Sequence, residues 1–241
     1  MERLDKLIAA TGHFSRQEVR NLARRGCITV DGRPVTASDT KVDPLTARIA
    51  VNGAPLCCRR YTYLLLHKPA GLLTATEDSR QETVLDLLPA PYRRQGLSPV
   101  GRLDKDTEGL LLLTNDGELN HRLTSPRYHV DKVYYARVEG ELTEADAAAF
   151  AEGLSLGDFT CLPAQLCPLG PGACRVTVGE GKFHQVKRML AARGAPVTYL
   201  KRLEMGPLTL GDLPRGSWRE LTAAEEAALR RCCGLPENGA K

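Results

Sequence analysis

Three carboxylates at alternate positions, Asp104, Asp106 and Glu108, lie between Gly101 and Gly109 and run straight into Leu110, Leu111, Leu112 and Leu113. In an extended chain, alternate side chains point to one side. Three acids so placed would converge on a hard cation such as Mg²⁺ and serve phosphoryl transfer. In a second reading one carboxylate works as nucleophile or base, while its neighbours cap or solubilise the turn. In a third, the acids are structural only, as is common in glycine-bounded turns. The residues themselves leave the three open. Position adds weight to chemistry: the apolar run ends at Asn115-Asp116-Gly117, so it reads as a buried strand closed by a turn. The acids therefore sit at the lip of a core strand, where loops usually carry function.

Positioning falls to the elements on either side. Residues 3–11 place Leu4, Leu7 and Ile8 at helical spacing. Ser15-Arg-Gln-Glu18 is a capping box, opening a helix that runs to Arg24 and Arg25 with Gly26 as its stop. Arg16, Arg20 and Arg24 recur every fourth residue and share one face, which can lie along a phosphate backbone. Short strands are expected at 27–30 and 49–51, with turns at Asp31-Gly32 and Asn52-Gly53. Residues 57–60 read as a linker. Beyond it come a buried strand over 61–67, stopped by Lys68-Pro-Ala-Gly71, a short helix over 82–88 and one or two helical turns over 118–123. A strand over 133–138 sets Tyr134, Ala136 and Val138 on one face and Tyr135 and Arg137 on the other.

An alanine-rich helix from Thr143 to about residue 152 is followed by strands over 159–166, 175–178 and 197–203. A helix over 183–193 places Phe183, Val186 and Leu190 on its apolar face and His184, Lys187 and Arg188 on the other. A strand over 218–221 and a second capping box, Thr222-Ala-Ala-Glu225, lead into a C-terminal helix, and residues 234–241 read as a flexible tail. Strands outnumber helices and often follow one another directly. The expected fold class is α+β: a small N-terminal α/β unit, then a body on an extended mixed, mainly antiparallel sheet flanked by helices.

The chain of 241 residues is 42% hydrophobic and 26% charged, enough for a real core in one large domain or two smaller ones. No apolar run reaches the roughly 18 residues of a membrane span, and the first residues lack the basic-then-apolar layout of a secretory signal. A cytoplasmic protein with no membrane partner is expected. Eight cysteines at 27, 57, 58, 161, 167, 174, 232 and 233 include no C-x-x-C pair, so zinc is not indicated and reduced, packing cysteines are expected. Charge is uneven: residues 1–60 carry 11 Lys and Arg against 6 Asp and Glu, whereas residues 61–241 carry 22 against 23. A basic module joined to a near-neutral body suggests a polyanion-binding unit beside a working unit.

Two resemblances sharpen this reading. The segment Arg3-Leu-Asp-Lys-Leu, Ser15-Arg-Gln-Glu and Gly26-Cys-Ile-Thr-Val-Asp-Gly-Arg33 resembles the S4 RNA-binding domain over about residues 1–56, which implies binding to structured RNA. Gly101-Arg-Leu-Asp104-x-x-Thr107-x-Gly109 with its leucine run is similar to the catalytic motif of RNA pseudouridine synthases of the RsuA type. The similarity continues through His121-Arg-Leu-Thr-Ser-Pro126, Lys132-Val-Tyr134, Gly181-Lys-Phe-His-Gln-Val-Lys-Arg-Met189 and Gly216-Ser-Trp-Arg-Glu-Leu221. It implies an RNA-binding domain at 1–58 and a catalytic domain at 61–233.

The implied reaction breaks the bond from C1′ to N1 of a uridine and remakes it to C5, which asks for a close-fitting, water-poor pocket. By this resemblance Asp104 is the working carboxylate, Tyr134 stacks on the target base, and Lys187 keeps Asp104 ionised. Arg102 contacts RNA around the flipped nucleotide, Leu200 walls the pocket, and Arg188 and His184 join Arg16, Arg20 and Arg24 as RNA contacts. Asp106 and Glu108 become local structure. No metal and no cofactor are required. The run from His121 to Pro126 looks more like the small-subunit enzyme, which implies a uridine in the 530-loop region of 16S rRNA; nothing in the sequence demands more than a monomer. The alternatives are a 23S rRNA uridine, a non-catalytic ribosome-assembly factor, and a metal-dependent phosphotransferase or nuclease using all three acids.

Overall fold

Leu4, Leu7 and Ile8 on helix Leu4–Ala10 face Val19, Leu22 and Ala23 on helix Arg16–Arg24. In the computed structural model, which describes residues 1–236, the two helices close a small core with Ile28, Val42, Ile49 and Val51. The second helix starts where its capping box places it: Glu18 N donates to Ser15 Oγ at 3.2 Å, and Ser15 N donates to Glu18 Oε2 at 2.7 Å. Strands Ile28–Val30 and Ile49–Val51 pair antiparallel inside a four-stranded sheet. Its two hairpins turn at Asp31-Gly32 and Asn52-Gly53, all four residues at positive φ, the conformation a two-residue hairpin of matching twist demands.

The body is built on a nine-stranded sheet. Its path runs Gln165–Gly170, Ala173–Val178, Lys132–Val138, Val197–Met205, Glu108–Thr114, Tyr63–Lys68, Trp218–Glu220, with the short strands Leu208–Thr209 and Ser98–Pro99 attached beside it. Among the described residues, only the pairing of Glu108–Thr114 with Val197–Met205 joins two of these strands in parallel, so the sheet is mixed and mainly antiparallel, as the sequence predicts. The leucine run is buried on both faces: Leu111 and Leu113 join the core on one side, Leu110 and Leu112 the core on the other. A run of leucines without polar alternation fits such a strand. The parallel crossing requires Gly109, because a Cβ there would stand 2.2 Å from the carbonyl oxygen of Arg202.

Two expectations are corrected. The strand anticipated over 159–166 begins only at Gln165. Before it, Cys161 N and Ala164 N bond to the carbonyls of Leu154 and Phe150, Leu162 N bonds to the Glu180 carboxylate, and Pro163 has no amide hydrogen to give a neighbouring strand. The helix anticipated over 183–193 spans Gln185–Ala192, because His184 turns its backbone left-handed, with φ of 50°. Val186, Met189 and Leu190 are buried as an apolar face, but Phe183 lies off the helix and 70% exposed.

All eight cysteines are free thiols. Cys161, Cys174 and Cys233 are buried, and burial pushes the Cys174 and Cys233 thiols up to about 11. Cys27 and Cys58 pack partly against the N-terminal core, whereas Cys57, Cys167 and Cys232 are exposed. No helix among the described residues is long and apolar enough to cross a membrane. Leu235 is packed in the second body core and Arg230 Nε donates to Pro236 O at 2.6 Å, so the start of the anticipated tail is held against the body. The rest of that tail, 237–241, lies outside the described residues.

Candidate active site

Residues 104–107 form a tight turn, with Thr107 N donating to Asp104 O at 3.1 Å, and the strand begins only at Glu108. In a turn the alternation of an extended strand is lost: Glu108 has partners of its own, while Asp104 and Asp106 share Lys187. Glu108 is buried, accepting from Tyr199 Oη at 2.8 Å and Arg215 Nη1 at 3.1 Å. Burial alone would raise its pKa, but these two donors hold it below the usual carboxylate range. Asp106 is exposed and accepts from Lys187 Nζ at 2.6 Å, which lowers its pKa. Asp104, less exposed, lies 3.1 Å from Lys187 Nζ through Oδ2 and 3.4 Å from His184 Nε2 through Oδ1. Among the described residues, no group of three or more His, Cys, Asp or Glu is arranged to hold a metal ion.

Around Asp104 the chain forms a cleft. Leu103, Tyr134, Val178, Val186 and Leu200 give it an apolar wall, and Arg102, Glu180, Lys182, His184 and Lys187 line its polar side. Tyr134 and Leu200 reach it because they project from one face of adjacent antiparallel strands, where Tyr134 pairs with Arg202 and Ala136 with Leu200. Lys187 comes from the helix Gln185–Ala192, which brings it against the turn. Burial opposes the Lys187 charge, yet hydrogen bonds to Asp106 and Asp104 outweigh it and raise the ammonium above its usual value. The site thus presents one half-buried carboxylate, a fixed cation beside it and an apolar wall that includes a tyrosine ring. That arrangement suits attack or proton removal by a single carboxylate on a flat, uncharged group sheltered from water.

The residues anticipated from sequence divide accordingly. Asp104, Tyr134, Lys187, Arg102, Leu200 and His184 come together in the cleft. Arg188 turns aside: it pairs with Asp158, donates to Leu156 O at 3.1 Å and lies over the Phe159 ring. Arg16, Arg20 and Arg24 are exposed along one helix of the N-terminal unit, away from the cleft. Two contributors escape the sequence reading. Asp106, read as local structure, shares Lys187 with Asp104. Lys68, fully buried, points its ammonium under the turn and donates to Pro69 O, Lys105 O and Thr107 O at 3.0, 3.1 and 2.9 Å. Its signal was a lysine prolonging an apolar strand where solvent cannot follow.

Comparison with known proteins bears on the whole of this geometry. The RNA pseudouridylate synthase family matches residues 62–192, the segment that holds the turn, Tyr134 and the Lys187 helix. The chain belongs to that family. The S4 domain matches residues 2–44 of the synthase. It is similar to the uncharacterized RNA pseudouridine synthase YtzG of Bacillus subtilis, at 44% identity over 92% of this chain and 96% of that one. It is also similar to ribosomal small subunit pseudouridine synthase A of Pseudomonas aeruginosa, at 41% identity over 92% and 98%, and of Escherichia coli, at 40% over 94% and 99%. A crystal structure of a pseudouridylate synthase superposes with a TM-score of 0.67 and 33% identity, covering 95% of this chain and all of the other.

Proposed function

We propose that this synthase converts a uridine of 16S rRNA, in the 530-loop region, to pseudouridine, in the cytoplasm and as a monomer without cofactor. The observation that carries the reading is the Asp104 carboxylate, fastened to Lys187 at 3.1 Å on the edge of a cleft walled by Tyr134 and Leu200. The small-subunit target is supported by relatives of 40–41% identity named ribosomal small subunit pseudouridine synthase A.

In this reading the N-terminal domain, residues 1–58, grips the RNA through its arginine row, and the domain at 61–233 does the chemistry. The target uridine is extruded into the cleft, a step that chemistry on a base within folded RNA requires, with Arg102 at the extrusion point. Tyr134 and Leu200 hold the ring while Asp104 acts as the one working carboxylate, held in place by Lys187 at 3.1 Å. The C1′ to N1 bond breaks, uracil turns in place, and C1′ joins C5. The C5 proton is lost and N1 gains one, so the product is an isomer and nothing is consumed. The apolar wall keeps water from C1′ while the base is detached.

Mapping pseudouridines in both rRNAs of a deletion strain, complemented with wild type or Asp104→Asn, tests the proposal. One 16S rRNA pseudouridine should disappear and return with wild type only. Loss of a 23S rRNA site instead would move the target. Restoration by Asp104→Asn would remove Asp104 from the chemistry and favour a non-catalytic assembly role.

A further inference from the structure

Phe183 is 70% exposed, the one aromatic ring among the exposed large hydrophobic side chains of the described residues. Single exposed apolar residues need no special account, but this ring is held in a particular way. It stacks on His184, with ring centroids 3.8 Å apart and planes 20° apart. His184 in turn reaches Asp104 Oδ1 with Nε2, at 3.4 Å. The pair is presented by the left-handed backbone of His184, at φ of 50°, a conformation that costs free energy in any residue with a Cβ. That turn is what keeps Phe183 off the helix and out of the core.

His184 lines the cleft whereas Phe183 does not, so the exposed Phe183 ring adjoins the cleft through its stack on His184 without lining it. Arg102 is exposed at the cleft and, among the described residues, has no ion-pair or hydrogen-bond partner. An exposed ring stacked on one residue of the cleft lining and an open guanidinium in that same lining match a single-stranded nucleic acid, which offers bases to stack and phosphates to pair.

We infer that the Phe183–His184 ring pair is a stacking platform for the base adjoining the uridine that enters the cleft. The inference rests on the reading that this cleft takes an extruded uridine. Extrusion strips the neighbouring base of one stacking partner, and an aromatic ring adjoining the cleft replaces it. The uridine itself belongs to the cleft, which Phe183 does not line, so the occupant of the ring is a different base.

The test uses short single-stranded RNAs with a central uridine and 2-aminopurine on one side or the other, bound to wild type, Phe183→Ala, Phe183→Leu and Phe183→Tyr. Wild type and Phe183→Tyr should quench the aminopurine at one of the two positions, whereas Phe183→Ala and Phe183→Leu should not. Affinity of the last two should fall on the order of 10- to 100-fold, with KM rising, kcat within about twofold and melting temperature unchanged. Wild-type quenching and affinity in Phe183→Leu would overturn the inference, since apolar bulk would then suffice; the same in Phe183→Ala would overturn it outright. A wild-type enzyme that quenches in this pattern but forms no pseudouridine in any rRNA would leave the platform supported and overturn the reading of the cleft.

Discussion

Lys187 stands between two carboxylates that differ in their access to water. The Asp106 side chain is 74% exposed and that of Asp104 is 27% exposed. The shorter contact, to Asp106 at 2.6 Å, is therefore the weaker claim on energy, since an exposed ion pair contributes roughly 0–1 kcal/mol and is screened by salt. The contact to Asp104, facing an apolar wall, is screened less. Lys187→Met should lower single-turnover pseudouridine formation by about 100-fold or more, the size of effect seen when a preorganised charge-stabilising donor is removed. Asp106→Asn should cost less than about tenfold, and its effect should shrink as salt is added. Equal losses in both variants, measured on the same RNA, would mean that Asp106 rather than Asp104 sets the lysine's position.

At the scale of elements, the 104–107 turn depends on Lys68 at the end of strand Tyr63–Lys68. Its ammonium joins three carbonyls from two segments, and burial lowers its pKa to about 8, from an ordinary value of 10.5. The sign follows from proton counting. Below about pH 8 the lysine is charged in both folded and unfolded chains, and the folded state bears the full cost of burying it. Between about 8 and 10.5 the unfolded chain binds more protons, so this group's contribution to stability rises with pH. Lys68→Met has no such titration. It should slow turnover by loosening the turn, and the melting temperature of wild type relative to Lys68→Met should climb across that window; a constant difference would mean that Lys68 titrates normally.

Such a role is hard to read from sequence, because it arises from a meeting of residues 68 and 104–107 across the sheet. The elements that carry Asp104, Tyr134 and Lys187 are legible for the opposite reason: a glycine-bounded turn, a period-two strand and a helical repeat are local patterns, whereas the roles of these residues come from the family resemblance alone. Phe183 was misplaced because its spacing to Val186 and Leu190 fits a helix, and spacing does not reveal that His184 adopts a left-handed backbone. Glu108 was placed in one acidic cluster with Asp104, although its partners Tyr199 and Arg215 lie some ninety residues or more away in the chain.

Over the whole molecule, the arginine row and the cleft belong to separate cores, and the cooperation proposed for them depends on how firmly the two are joined. Gln95 Nε2 donates to Thr11 O at 2.9 Å, and Arg59 lies 3.3 Å from Glu220. Gly12, at φ of 74°, meets Pro91 so closely that a Cβ would stand 1.9 Å from its carbonyl oxygen. Approaches this close seat the helix Arg16–Arg24 at a set distance from Asp104. An RNA long enough to reach both gains from a second, intramolecular attachment, whereas one that fills only the cleft does not. Replacing Arg16, Arg20 and Arg24 together by Gln should therefore act selectively. On a folded small-subunit rRNA fragment, the slope of log affinity against log salt should flatten by about 0.7–0.9 for each phosphate that is no longer neutralised, roughly 2–3 in all. KM should rise there while single-turnover formation of pseudouridine at saturating RNA stays as in wild type, because Asp104 and Lys187 are untouched. On a short single-stranded RNA neither quantity should change. An unaltered salt slope on the long RNA would show that its phosphates bypass this helix, and the grip would then have to come from the body itself.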